Sequence, residues 1–281
     1  MHDAPDITAK LTALRARLAD LGSVLVCYSG GVDSAFLLAA AHEVLGPRAV
    51  GMTAVSPSLA PAEREEAIEL AKRIGADHRL VESQEIEDPD YVKNAPDRCF
   101  HCKSELYRIA ARKRVEWDLS AIVNGTNLDD LGDYRPGLEA AKQAGVVSPF
   151  VDLAFTKADV RAGAQAMGLP IWDKPAAACL SSRIPYGTSV TRERLDKIGG
   201  FEARLRALGF RQVRVRYHDE LARIELDPSD LPRAAEPSMR AAIVSAGKDS
   251  GFRYVTLDLL GYRTGSHNEV LVGRSLRVVD H

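Results

Sequence analysis

Between residues 23 and 124, short apolar runs alternate with longer amphipathic ones, and that alternation leaves few folds open to the chain. Ser23–Tyr28 reads as a buried strand, Ala35–Leu45 as a helix closed by Gly46-Pro47, and Ala49–Val55 as a second strand. Pro61–Ile74 reads as a helix with proline in its first turn, acidic residues early and Gly75 at its end. His78–Val81 is a third strand, Leu106–Val115 a helix and Ala121–Asn124 a fourth strand. Strands joined by helices take right-handed crossovers, so the expected fold class is α/β, a doubly wound, mostly parallel sheet. After residue 185 the pattern changes. Arg192–Leu208 reads as a helix ended by Gly209, and Gln212–Tyr217 and Leu221–Leu226 as a hairpin turned at His218-Asp219. A helix over Leu231–Ser245 and a strand over Arg253–Leu259 complete a smaller α+β domain. The boundary is set at Pro185-Tyr186-Gly187, giving domains 1–185 and 186–281.

A formal net charge of −2 supplies no global positive field to gather nucleic acid. No apolar run reaches the ~18 residues of a membrane span. Met1–Asp6 lacks the basic-then-apolar layout of a signal peptide. The expectation is a cytoplasmic protein with neither nucleic acid nor membrane as partner.

Ser29-Gly30-Gly31-Val32-Asp33-Ser34 lies between the first strand and the first helix, at the strand's carboxyl end, where open α/β sheets bind ligands. Two glycines allow close approach to a phosphate, the helix start offers unpaired N–H groups, and Ser29 and Ser34 add hydroxyls. Asp33 would repel a phosphate and fits a Mg²⁺ ligand instead. The lysine of a Walker A loop is absent, as is G-x-G-x-x-G. Gly247-Lys248-Asp249-Ser250 is a similar string, but it follows a helix and reads as a cap and turn. The hexapeptide resembles the PP-loop of the ATP pyrophosphatase superfamily, whose members cleave ATP between the α and β phosphates. That resemblance implies that residues 29–34 grip pyrophosphate and that Thr53, Ala54 and Val55 meet the adenine through their backbone. Gly125-Thr126-Asn127-Leu128-Asp129-Asp130 follows the fourth strand and is also read as active-site loop, with Asp133 and Arg135 continuing its polar run.

Of the four cysteines, Cys27 sits in the first strand, where a small packing residue belongs. Cys99-x-x-Cys102 is compatible with half a zinc site, a redox dithiol or part of an iron–sulfur site. Cys179 lies in a proline-bounded stretch between Lys174 and Arg183, where a thiol can hold thiolate character or stay inert. Arg214 and Arg216 alternate with Val213 and Val215 and share one strand face; Arg223 and Glu225 share a face of the next strand. Such a face is either a solvated ion-pair lattice or a site for an anionic ligand.

Taken together, the PP-loop, Gly125–Gly137, Ala178–Gly187 and Val213–Glu225 resemble the LarE family of ATP-dependent sulfur transferases, which help build the nickel-pincer nucleotide cofactor. The resemblance implies adenylation of a carboxylate of a pyridinium-dicarboxylate mononucleotide, with a cysteine at the position of Cys179 serving sulfur transfer. It implies a substrate-phosphate site at Arg214 and Arg216 with Ser182 and Arg183, the carboxylates Glu202 and Glu225 in catalytic positions, and more weakly Asp230. It implies a homo-oligomer using ATP and Mg²⁺. Family members with a three-cysteine set hold a 4Fe-4S cluster, here on Cys99, Cys102 and Cys179; others give up the sulfur of the single cysteine. Other PP-loop chemistries remain open at this point: tRNA thiolation, amide synthesis, or nucleotide sensing without catalysis.

Overall fold

The computed structural model describes residues 7–132, 136–175 and 178–263. Asp133 and Arg135 lie outside them. The chain divides into two compact units between residues 177 and 178, ahead of the Cys179 segment, whereas the sequence boundary at 185 falls behind it.

The first unit runs α1 (Ile7–Leu21), β1 (Val24–Cys27), α2 (Val32–Leu45), β2 (Ala49–Val55), α3 (Pro61–Ile74), β3 (Asp77–Glu82), α4 (Pro89–Val92), α5 (Arg98–Glu116), β4 (Ala121–Val123), α6 (Pro136–Gln143), α7 (Pro149–Asp152) and α8 (Lys157–Ala166). The sheet order is β3-β2-β1-β4, with every pairing parallel. Successive strand residues face opposite sides. Val24 and Val26 pack with Leu14, Leu18, Phe36 and Leu70 on one face, while Leu25, Val50 and Met52 pack with Ile109, Ala110 and Leu119 on the other. Helices therefore cover both faces, as the doubly wound reading requires. Strand β1 has its successor β2 on one side and β4 on the other. That is the topological switch point, and the loops after β1 and β4 open there.

Two local readings change. Helix α1 was not anticipated. Helix α5 begins at Arg98 rather than near Leu106, so Cys99 and Cys102 stand one turn apart on a helix start, not on a turn. Helix α8 packs closely on α2, because a Cβ at Gly163 would collide with the Phe36 ring.

The second unit contains α9 (Arg192–Ala207), β5 (Val213–His218), β6 (Leu221–Leu226), α10 (Leu231–Ala235), α11 (Pro237–Asp249) and β7 (Tyr254–Leu257). Strands β5 and β6 pair antiparallel, and β7 joins β6 in parallel after the α10–α11 crossover. His218 pairs with Leu221, so the hairpin turns at Asp219-Glu220, with Asp219 at φ 54°, one residue later than expected. The helix expected over 231–245 is broken, because Pro237 has no N–H to continue α10 and instead begins α11. Among the described residues, no helix is long and apolar enough to cross a membrane.

Candidate active site

The phosphate loop is shaped by small residues and two hydroxyls. Gly30 has φ +75°, and a Cβ there would lie 2.8 Å from Ala67 Cβ, so only glycine fits beneath α3. Ser34 Oγ donates to the Gly31 carbonyl (3.1 Å) and accepts the Ser29 N–H (3.1 Å), which closes the loop on itself. The Ser29 and Ser34 hydroxyls lie 3.1 Å apart. Gly31 is the N-cap of α2 and no side chain caps that helix. Its first amides thus retain their donor capacity at the positive end of the dipole.

The loop after β4 closes against this one. A Cβ at Gly125 would stand 2.9 Å from the Asp33 carbonyl carbon and 3.0 Å from Ser34 N. Asn127, buried, caps the turn Leu128–Asp130 through Asp129 N (3.1 Å) and donates Nδ2 to Asp33 Oδ1 at 3.0 Å.

A residue that the sequence reading missed completes the cluster. Lys157 Nζ donates to Asp33 Oδ1 at 2.7 Å and also reaches Oδ2, while its backbone N–H donates to Asp129. It is the first residue of α8, placed by a capping box in which Thr156 and Asp159 bond reciprocally. The signal was present as Thr156-x-x-Asp159. One lysine thus holds two carboxylates, one from the first turn of α2 and one from the turn after β4.

At the end of β2, Thr53 is buried, and its hydroxyl donates to the Tyr28 carbonyl at 2.7 Å. That hydroxyl has no second proton, so the 2.8 Å contact with His78 Nε2 is donated by the histidine. Burial lowers the His78 pKa, and Asp77 opposes this. Ala54 and Val55 are half-buried. Beyond them, Ser56 Oγ donates to the buried Glu85 carboxylate at 2.7 Å, as does Ser58, fixing the turn into α3.

None of the four cysteines is in a disulfide. Cys27 is half-buried, and burial pushes its thiol up to about 12, with Lys103 opposing, which suits packing rather than reactivity. Cys99 is exposed and Cys102 half-buried. Lys174, read from the sequence as a cationic flank of Cys179, instead pairs with Glu63 (3.1 Å) and Glu66 (2.7 Å) of α3.

In the second unit the exposed Cys179 begins the short turn Leu180–Arg183. Arginines hold that turn by its carbonyls. Arg183 NH1 donates to Ala178 O (2.7 Å) and Cys179 O (3.0 Å), and Arg216 NH1 donates to Ser182 O (2.9 Å). Arg183 thus grips the Cys179 backbone, not the thiol. Its remaining edge meets Glu202, fully buried on α9, at 2.8 and 3.2 Å. Glu202 also accepts Val215 N–H at 3.0 Å. Glu225, equally buried, is bound bidentately by Arg216. Ser182 Oγ donates to Cys179 O and accepts from Arg183. Arg214 donates NH1 to Val213 O and lies 5.2 Å from the Tyr262 ring centroid. Burial lowers its pKa, and Arg183 adds repulsion. Arg214 and Arg216 are both buried, so their face is not a solvated lattice. Asp230 accepts from Arg233 at 3.3 Å.

Residues 11–105 match the family described as asparagine synthase. The chain is 45% identical to an uncharacterized protein of Synechocystis over 265 residues, 94% of this chain and 99% of that one. It is 36% identical to the pyridinium-3,5-bisthiocarboxylic acid mononucleotide synthase of Lactiplantibacillus plantarum over 271 residues, 96% and 98% of the two chains. An uncharacterized protein of Methanocaldococcus jannaschii is 30% identical over 241 residues, 86% of this chain and 91% of that one.

Proposed function

The chain belongs to the LarE family, and from that premise we propose that it adenylates a carboxylate of pyridinium-3,5-biscarboxylic acid mononucleotide with ATP and replaces the adenylated oxygen by sulfur. One observation carries the adenylation: uncapped helix amides, two loop hydroxyls and the Asp33–Lys157 pair converge at the sheet's switch point. A carboxylate oxygen attacks the α-phosphorus, the α–β bridge breaks, and pyrophosphate leaves with the electron pair. The loop amides and the Lys157 ammonium stabilise that charge. Thr53–Val55 receive the adenine. β1 ends its pairing at Cys27–Met52, so strand alternation turns the Ala54 backbone groups toward the side that β1 no longer occupies. Gly125 and Asp129 close the far side, and Arg135 is proposed with them.

The acyl adenylate is then open to a sulfur nucleophile, with AMP as leaving group. Arg214 and Arg216, with Ser182 and Arg183 shaping the turn, bind the phosphate of the substrate nucleotide, and Glu202 and Glu225 fix the guanidinium groups. Cys179 is the sulfur-handling thiol, exposed while its backbone is held.

Two inorganic groups belong to the proposal. Asp33, a half-buried carboxylate now paired with the Lys157 ammonium, is the proposed Mg²⁺ ligand once that ammonium gives way. Cys99 and Cys102, one helical turn apart in the first unit, and Cys179 of the second are the proposed thiolate ligands of a 4Fe-4S cluster with an open iron. Such a cluster, when bound, supplies an iron able to carry sulfide. Without it, Cys179 itself supplies the sulfur: its thiolate displaces AMP, and loss of the Cα proton then breaks the Cβ–Sγ bond, leaving dehydroalanine and a thiocarboxylate. The covered length of the bisthiocarboxylic acid synthase favours sulfur transfer over amide synthesis, because the asparagine synthase match stops at residue 105.

The test is product analysis. ATP with the dicarboxylate nucleotide should give AMP, pyrophosphate and a thiocarboxylate detected by mass spectrometry. ADP and phosphate as products would refute the assignment.

A further inference from the structure

Helix α3 stands over the phosphate loop and presents a guanidinium to which the residues considered so far give no task. Ala67 marks the contact: a Cβ on Gly30 would lie 2.8 Å from Ala67 Cβ, and Tyr28 Oη donates to Ala67 O at 2.9 Å. Helix α3 follows β2 directly, so its N-terminal end lies at the carboxyl edge of the sheet, the edge from which the loop also emerges. Arg64 precedes Ala67 by three residues. It is therefore nearly one turn, about 5 Å, farther out along the axis on the same flank. Ala60 and Ala67, both buried, fix which flank faces inward. Arg64 thus overhangs the phosphate loop.

The partners of Arg64 do not account for its charge. Among the described residues its NH2 reaches only the adjacent Glu65, at 3.1 Å, and that carboxylate is 66% exposed. Exposed pairs of this kind contribute little. Its Nε is buried and, among the described residues, has no hydrogen-bond partner. A buried N–H without an acceptor costs free energy. The neighbouring acids of the helix, Glu63 and Glu66, are already held by Lys174. We infer that Arg64 binds the β- and γ-phosphates of ATP, taking the leaving pyrophosphate opposite the α2 amides. A guanidinium offers the paired N–H geometry that phosphate oxygens accept, and negative charge grows on that group as the α–β bond breaks. The inference rests on the adenylating function proposed above and adds a pyrophosphate ligand to it.

The experiment titrates intact protein and its Arg64→Gln and Arg64→Lys variants with ATP and with AMP, and follows pyrophosphate release. AMP lacks both phosphates that Arg64 would hold. Arg64→Gln should weaken ATP binding by about tenfold or more, the loss of a charge-assisted hydrogen bond, and leave AMP binding unchanged. Arg64→Lys should recover part of the loss. Equal weakening of ATP and AMP would mean that Arg64 only supports the fold, and wild-type ATP affinity with wild-type pyrophosphate release in Arg64→Gln would likewise overturn the assignment. If the unmodified protein yields ADP, the adenylating function itself fails, and this role with it.

Discussion

Arg216 and Glu225 lie diagonally across the β5–β6 hairpin and meet edge to edge, Nε to Oε1 at 2.9 Å and NH2 to Oε2 at 2.8 Å, with almost no solvent at either side chain. Removing one partner of such a buried pair leaves the other uncompensated, which costs about 3–5 kcal/mol. Arg216→Ala is expected to lower unfolding free energy by that order in urea titration. It is therefore a poor probe of substrate binding. Arg214→Gln is the better one: it should raise the apparent KM for the mononucleotide roughly tenfold and leave the KM for ATP in place. Equal KM values for the mononucleotide in both proteins would remove Arg214 from the phosphate site.

Lys157 and Asp33 predict a paired phenotype. Asp33→Asn and Lys157→Met should each cut pyrophosphate release on the order of a hundredfold or more, the scale of losing a preorganised electrostatic contact. Both proteins should keep wild-type circular dichroism, since Asp33 and Lys157 are half-buried first-turn residues of α2 and α8 and neither belongs to the apolar core. A Lys157→Met enzyme with undiminished turnover would reduce the lysine to a tether between loops.

His78 predicts an acid limb in stability. Burial holds its folded pKa below the ordinary 6.5. The unfolded chain therefore takes up the proton first as pH falls. Stability is complete above pH 6.5 and declines as pH drops toward the lowered folded value. His218 is shifted in the same direction and adds to the slope. His78→Gln keeps an N–H donor for Thr53 but cannot titrate. Its melting temperature should fall less steeply than wild type on acidification below pH 6.5; parallel curves would exclude His78 as a source.

For the sulfur source, anaerobic reconstitution should give a brown protein with about four irons per chain, bleached by alanine at Cys99, Cys102 or Cys179. A colourless protein that loses one H2S from Cys179 on turnover would establish the sacrificial route instead. Cys27→Ala should change neither outcome, given a thiol held near 12.

Much of the sheet was legible because its punctuation is local. Pro61 and Gly75 bound α3 where the sequence placed it, and β2 runs over the residues expected of it. What was not legible depended on tertiary partners. The early start of helix α5 is hidden because Arg98, Cys99 and Phe100 carry no strong apolar period, yet Arg98 is buried with its guanidinium on Asn94. Helix α1 was visible in principle, since Leu11, Leu14 and Leu18 recur at helical spacing. The arginine face of β5 could be read as solvated or functional from alternation alone. Only Glu202 and Glu225, arriving from a helix and the next strand, turn it into a buried network. Lys157 escaped because its role depends on the packing of α8 on α2 through Gly163 and Phe36, more than a hundred residues from the loop it serves.

The double grip of Lys157 has a consequence for the order of events. The Asp33 carboxylate is already neutralised from within the protein, since an ammonium occupies the oxygens that a divalent ion would want. Free metal must displace it and brings no anion of its own to receive the displaced ammonium. A metal arriving with its triphosphate brings fresh oxygens to which the ammonium can turn. For the proposed reaction, loading is thus an exchange of partners, and bare magnesium at physiological concentration should leave the site to its lysine.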